Sequence, residues 1–333
     1  MIDVKNLKVN LENKILTSQR VIIVPHKFAD FDAIGSAIGL SLISKKLKTP
    51  AYIIDNDSLS EMEAGVKIIV DAAGKEYNII NRDKYLNLEP SIDKNAELYI
   101  LTDVNKKYLI HLADLISSPD MTFIIDHHEE DNNTLESNNK YIDPSVSSAS
   151  EIVTKLLCAY KIKIPANVAK YLLAGIYLDT NKLTKNVTSE TMKTVAKLLE
   201  SGAIMSDVIS LFKEDFYSDR RVQELVSKIE ILNYSLAVIM ASEEDEYSRE
   251  ELAKAADYAL KYGCDGVFAV GNVGDNTISI SARSNSRVNV GLIMQDLGGG
   301  GNQYSGATKI EDTTVEEVGK KLQKIITPKY YIK

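Results

Sequence analysis

The chain has 333 residues, enough for two domains of ordinary size, and a hydrophobic content of 44% excludes wholesale disorder. With Asp+Glu 47 against Lys+Arg 39, the formal net charge is -8, which argues against non-specific duplex binding because that needs a basic surface to displace counterions. Cys158 and Cys264 lie far apart without a C-x-x-C, which argues against a disulfide framework or thiolate zinc site, fits a reducing cytosol and suits small core residues.

No run approaches the roughly eighteen apolar residues of a membrane span. The N-terminal segment carries Asp3, Lys5, Lys8, Glu12, Lys14 and Arg20 among spaced apolar positions, which predicts an amphipathic helix and not a secretory signal. Val21 to Val24 are consecutive β-branched residues, the pattern of a strand buried on both faces of a parallel sheet. His26, Asp30 and Asp32 follow its carboxyl end. Asp32 immediately precedes a stripe of Ile34, Ala37, Ile38 and Leu42, which predicts a helix capped by Asp32, with Lys45, Lys46 and Lys48 at its negative C-terminal end. Taken alone, His-x-x-x-Asp-x-Asp fits a solvated loop with a capping aspartate as well as it fits a metal site.

Further strands are predicted at 51–55, at 97–105 with Asp103 at its carboxyl end, and at 121–131, where Phe123, Ile124 and Ile125 run into Asp126, His127 and His128. Strands separated by helical segments predict an α/β, doubly wound parallel sheet whose ligand crevice lies beyond the strand carboxyl ends. Ser148-x-x-Glu151 ahead of Ile152 and Val153 reads as a capping box on a core helix. A buried helix over 169–184 ends in Asp179 and Thr180, and a carboxylate at a helix C-terminus opposes the dipole unless a cation is nearby. His111 matches no pattern and reads as a surface or helix residue.

The Ser-, Thr-, Lys- and Glu-rich stretch 186–228 reads as a helical linker between a first domain, 1–185, and a smaller α/β domain, 229–333. That second domain is predicted to hold strands at 235–241, 266–272 and 277–284, helices at 248–263 and 288–297, and a turn at 274–276. Gly298 to Gly301 then forbid regular structure. With Arg283 on a preceding strand, the run reads as an anion cradle, although flexible linkers have the same composition. The first domain thus offers His26, Asp30, Asp32, Asp103, Asp126, His127, His128 and Asp179. Imidazole and carboxylate ligands without thiolates suit manganese or another divalent first-row ion.

In order and spacing, His26-x-x-x-Asp30-x-Asp32-x-x-Gly35-Ser36, Asp103, Asp126-His127-His128 and Gly175-Ile176-x-x-Asp179-Thr180 resemble the four motifs of the DHH phosphoesterase superfamily. The second domain resembles the DHH-associated domain. Ser281-Ala282-Arg283-Ser284, the 289–301 segment and Gly306-Ala307-Thr308 are most similar to the catalytic module of membrane-tethered cyclic-di-AMP phosphodiesterases.

The resemblance implies an active site in the cleft between the domains. It implies two Mn2+ ions held by His26, Asp30, Asp32, Asp103, His127 and Asp179, with Asp32 and Asp103 touching both. It also implies attack of a metal-bridging hydroxide on phosphorus and His128 facing the phosphate, with Asp126 either orienting a neighbouring ligand or ligating directly. Ser281, Arg283, Gly299, Gly300, Gly301 and Asn302 would hold a cyclic dinucleotide or short oligonucleotide. The implied activity is conversion of cyclic di-AMP to pApA. A nanoRNase acting on pApA and other short oligonucleotides and a catalytically weak cyclic-dinucleotide-binding protein are the alternatives. The family carries membrane helices ahead of this module, so the chain is expected either to stand alone in the cytoplasm or to be the soluble module of a tethered protein; a homodimer stays open. Asn302 stands where the family has a histidine. It either replaces a phosphate contact or closes the glycine turn.

Overall fold

A computed structural model describes residues 4–55, 62–88, 96–116, 118–213, 216–232, 235–285, 287–326 and 330; Asp3 of the expected first helix lies outside them. The chain divides into two compact units, 1–213 and 214–333. The first contains α1 (Val4–Leu16), β1 (Arg20–Val24), α2 (Phe31–Lys46), β2 (Ala51–Ile54), α3 (Ala64–Ala73), β3 (Ile79–Ile80), α4 (Arg82–Leu86) and β4 (Glu97–Thr102). It continues with β5 (Thr122–Asp126), β6 (Asn139–Ile142), α5 (Ala149–Ala159), α6 (Ala166–Asp179), α7 (Ser189–Glu200) and α8 (Met205–Leu211).

Its strands form one parallel sheet in the order β3-β2-β1-β4-β5-β6. This is the doubly wound arrangement, and its order reverses between β1 and β4. Alternation within the strands feeds two cores. Val21, Ile23, Leu98, Ile100, Phe123 and Ile125 pack with α2, α5 and α6, whereas Ile22, Val24, Tyr99, Leu101 and Ile124 pack with Tyr85 and the segment after β4. Because His26 follows β1 and Asp103 follows β4, both leave the sheet at the switch point, where such sheets open a crevice.

The α2 helix is buried along nearly its whole length, from Phe31 to Ser44. Gly35 makes that possible: a Cβ there would stand 2.7 Å from the Tyr171 carbonyl oxygen, so the missing side chain lets α6 lie directly against α2. The N-cap differs from expectation. Asp30, not Asp32, caps α2, its Oδ1 accepting from the N–H groups of Asp32 (2.8 Å) and Ala33 (3.0 Å). Asp32 lies one residue inside the helix with its side chain turned to another element.

The expected capping box at α5 is half formed. Ser148 Oγ accepts from Glu151 N at 3.1 Å, but the Glu151 carboxylate turns to the hydroxyls of Ser147 and Thr191 and to Lys155. The cysteines also part company, since Cys264 is buried while Cys158 is exposed; neither is bonded to sulfur.

The stretch expected to act as a linker holds helices that belong to the units themselves. Val195, Leu198, Val208 and Leu211 of α7 and α8 join the first unit's core, and α9 (Phe216–Val226) opens the second unit. There follow β7 (Ile229–Ile231), β8 (Leu236–Met240), α10 (Arg249–Leu260), β9 (Gly266–Asn272), β10 (Thr277–Ser284), α11 (Val290–Asp296), β11 (Gly300–Gly301), β12 (Ser305–Glu311) and α12 (Val315–Ile325). The sheet order is β11-β12-β10-β9-β8-β7, with β8 and β9 parallel and the other pairs antiparallel. One face packs on α9 and α10, the other on α11 and α12. The glycine run is more regular than its composition implies, because Gly300 and Gly301 pair with Ala307 and Gly306 as a short edge strand. No helix among the described residues is long and apolar enough to cross a membrane.

Candidate metal centre

His26 is held by its neighbours before any ligand is considered. Its backbone forms an antiparallel bridge with Ile110, and Nδ1 donates to the Lys27 carbonyl at 2.7 Å, which leaves Nε2 as the ligating nitrogen. That atom lies 3.7 Å from Asp30 Oδ1 and 3.5 Å from Asp103 Oδ2. Asp103 has a left-handed backbone, φ 57°, which a short polar side chain tolerates better than most. Its N–H donates to the Ile125 carbonyl at 3.0 Å, so the turn is tied to β5.

The other oxygen of Asp103 serves a second cluster. Oδ1 is 3.3 Å from His127 Nε2, which in turn lies 3.2 Å from Asp179 Oδ2 and 4.0 Å from Asp32 Oδ2. Asp103 is therefore common to a group with His26 and Asp30 and a group with Asp32, His127 and Asp179. Asp32, expected to touch both, belongs only to the second. The reason is its two other bonds: Oδ2 accepts from Ala149 N (2.7 Å) and Oδ1 from Ser150 N (2.8 Å), so the amino end of α5 fixes the carboxylate from behind. Gly175 completes that seat, since a Cβ there would lie 2.6 Å from Asp32 Oδ1 and 2.5 Å from Ser150 Oγ.

Asp126 groups with Asp103, His127 and His128, and its Oδ2 is buried without a hydrogen-bond partner among the described residues, while its other oxygen is engaged. Its Oδ1 accepts from His127 N (2.8 Å), His128 N (3.2 Å) and His128 Nδ1 (2.9 Å), which orients both histidines. Asn105 adds a further tie by donating from Nδ2 to the His128 carbonyl at 3.0 Å. His111, by contrast, sits half-buried in a turn where its carbonyl accepts from Arg82.

The donor set fits divalent cations. Asp103 Oδ1, His127 Nε2 and Asp179 Oδ2 are buried and have no hydrogen-bond partner among the described residues, although they crowd together. Without a metal, protons have to relieve that crowding. Burial would raise the Asp103 carboxyl, but the imidazoles of His127 and His26 hold it down at about 2. Burial would likewise lower His26 and His127, yet the adjacent carboxylates raise each to about 11. Burial, with repulsion from Asp103 and Asp179, pushes Asp32 well above the ordinary carboxylate range, and burial also raises Asp179. A divalent ion would displace these protons and supply the missing positive charge.

Gly175→Ala is expected to push Asp32 out of line. The cost should be about 1–3 kcal/mol of stability from overpacking, together with weaker metal binding, read by thermal unfolding with and without added metal and by titration calorimetry.

In the second unit, β10 places Arg283 opposite Ser305 of β12, next to the Gly301–Gly306 pair. Arg283 Nε is 3.0 Å from Asp257 Oδ1, and Ser281 is buried on the same strand. Asn302 closes the turn between β11 and β12. Its Oδ1 accepts from Tyr304 N (2.8 Å) and Ser305 N (2.9 Å), while its own N–H donates to the Ser305 carbonyl (2.7 Å). Asn302→Ala should therefore lower stability by about 1 kcal/mol as measured by chemical denaturation, and Asn302→His should not restore it.

Comparison with known proteins agrees with this layout. Residues 20–176 match the DHH family, N-terminal domain, and residues 232–327 match the DHHA1 domain. This chain belongs to the DHH family. It is 30% identical over 323 residues to the cyclic-di-AMP phosphodiesterase GdpP of Geobacillus thermodenitrificans, covering 95% of this chain and 48% of that protein. It is also 30% identical over 319 residues to the cyclic-di-AMP phosphodiesterase PdeA of Listeria monocytogenes, covering 94% and 48%. The DHH-family chain thus spans about half the length of these relatives. A crystal structure of an exopolyphosphatase-related protein from Bacteroides fragilis has the same fold, with a TM-score of 0.80, 20% identity and coverage of 97% and 98%.

The motifs of this DHH-family chain pointed to its acids and imidazoles but not to Asn105 or to the Ala149 and Ser150 amides. For the amides a signal existed: Ser148-x-x-Glu151 marks a helix start, and a helix start carries unpaired N–H groups.

Proposed function

We propose that this chain carries the catalytic site of a phosphodiesterase that opens cyclic di-AMP to linear pApA with two manganese ions. The observation that supports it most is Asp103, whose two carboxylate oxygens face different ligand groups, because a carboxylate shared between two cation sites is a recurrent arrangement for displacement at phosphorus. Imidazole with carboxylate favours manganese over a structural zinc. The substrate rests on the activity named for GdpP and PdeA, which match this chain nearly from end to end.

His26, Asp30 and Asp103 would hold one ion, and Asp32, Asp103, His127 and Asp179 the other. When bound, the ions lower the pKa of water and offset the charge that develops on the phosphoryl oxygens. His128 has a different task. Its side chain is 57% exposed, and its Nδ1 is committed to Asp126, which leaves Nε2 as the free nitrogen of the ring. The bond to Asp126 raises its pKa, so it retains a proton more readily near neutrality. As the oxygen of hydroxide bonds to phosphorus and the P–O3′ bond breaks, His128 gives that proton to the departing 3′ oxygen and is reprotonated from solvent. Ser281, Arg283, Gly299, Gly300, Gly301 and Asn302 are the residues proposed to hold substrate phosphate, Arg283 by charge, the Gly299 N–H being already given to the Met294 carbonyl (2.8 Å).

The test is incubation with cyclic di-AMP and with pApA, each with manganese or EDTA, followed by product chromatography. Accumulation of pApA from cyclic di-AMP is expected only with metal. Rapid AMP formation from pApA with cyclic di-AMP untouched would replace this reading with a nanoRNase.

A further inference from the structure

Two large aromatic side chains on the segments that carry the candidate ligands stand in solvent, Phe28 and Tyr108, each 62% exposed. Phe28 lies between His26 and Asp30 and has a φ of 57°, a left-handed conformation that a bulky residue rarely adopts. Tyr108 lies on the connection that follows Asp103. The two segments are stitched together, because Lys27 N donates to the Leu109 carbonyl (2.8 Å) and Lys27 Nζ to the Tyr108 carbonyl (3.0 Å).

Tyr108 also lines a cavity of about 530 Å³ with Lys107, Asn132, Asn133, Thr134, Leu135 and Glu136. That volume falls within the usual range of small-molecule sites. Its remaining lining comes from the segment after His128, which is anchored to the segment after Asp103. Leu135 N donates to the Asn105 carbonyl (2.7 Å), and Lys107 N donates to the Asn133 carbonyl (3.2 Å). The cavity is thus built from the two connections that begin at Asp103 and His128. Beside Leu135 and Glu136, the lining offers an aromatic face, side-chain amides and a lysine. They match a nucleobase with its sugar-phosphate, which needs a stacking surface, hydrogen-bonding groups for the base edge and a cation.

We propose that this cavity is a nucleobase subsite, in which Tyr108 stacks on the base, Asn132 reads its edge and Lys107 neutralises phosphate. The inference rests on the phosphodiesterase reading and adds to it the surface that recognises the base.

The test separates recognition of the base from hydrolysis of the diester, using cyclic di-AMP and bis(p-nitrophenyl) phosphate, which carries no nucleobase. Tyr108→Ala is expected to raise KM for cyclic di-AMP about tenfold, keep kcat within about twofold and leave hydrolysis of the aryl diester unchanged. Tyr108→Phe, which keeps the ring, should retain the wild-type KM. Unchanged KM for cyclic di-AMP in Tyr108→Ala, or an equal loss on both substrates, would overturn the subsite. If the wild-type protein leaves cyclic di-AMP intact, the proposed activity fails, and calorimetric titration with AMP decides the subsite separately. Weaker AMP binding by Tyr108→Ala than by Tyr108→Phe would then support it, and equal affinities would overturn it.

Discussion

Asp103→Asn is expected to lower kcat by about a thousandfold or more and to reduce the number of metal ions bound per chain. The amide keeps the size of the side chain but removes its charge, and only one of its two heavy atoms remains an acceptor. In this fold both oxygens of Asp103 are committed, Oδ2 toward His26 and Oδ1 toward His127, so one substitution damages both ligand groups at once. Asp30→Asn should be milder at the second group, because Asp30 belongs only with His26 and Asp103. The check pairs kinetics with metal content per protein by mass spectrometry. Full metal occupancy in Asp103→Asn would contradict the role given to this carboxylate.

The largest effect on stability is expected at the opposite end of the same strands. Arg20 opens β1 and Glu97 opens β4, where the two pair directly in the ladder and their side chains form a buried ion pair, 4% and 0% exposed. The hydroxyls of Tyr85 (2.7 Å) and Tyr99 (2.8 Å) both donate to Glu97 Oε2, so the carboxylate is fully engaged in a dry setting. Burial raises the Tyr85 phenol to about 12 and raises Tyr99 as well, which keeps both hydroxyls protonated as donors. Arg20→Met fills much of the arginine's space but strands a carboxylate inside the protein. The expected loss is about 3–5 kcal/mol in chemical denaturation, with metal binding preserved in the fraction that stays folded. A loss below about 1 kcal/mol, the scale of a surface pair, would mean that the ion pair is unimportant.

These two sites differ in how far the sequence disclosed them. The consecutive β-branched residues of β1 and the His and Asp residues at strand ends were local signals, and the parallel sheet and the ligand groups followed from them. Long-range partnerships were not visible. Arg20 read as one charge in an amphipathic segment, since nothing near it in sequence announces Glu97. Asp30 and Asp32 are two residues apart at the start of one helix, and either could have capped it. What decides is the amino end of α5, whose Ala149 N–H reaches Asp32 Oδ2 at 2.7 Å from far along the chain. The glycine run misled for a related reason. Composition gave it no regular structure, whereas pairing with Gly306 and Ala307 made part of it an edge strand. Asn302, read either as a phosphate contact or as a turn residue, uses its side-chain oxygen for the turn, and its amide group is what remains for a ligand.

The central claim is that Asp103 stands between two metal sites, and anomalous scattering from manganese-soaked crystals tests it most directly. Two peaks are predicted, one within ligand distance of His26, Asp30 and Asp103 and one within ligand distance of Asp32, Asp103, His127 and Asp179. Absence of manganese beside Asp103 at saturating concentration, or a single ion that leaves either group empty, would contradict the account.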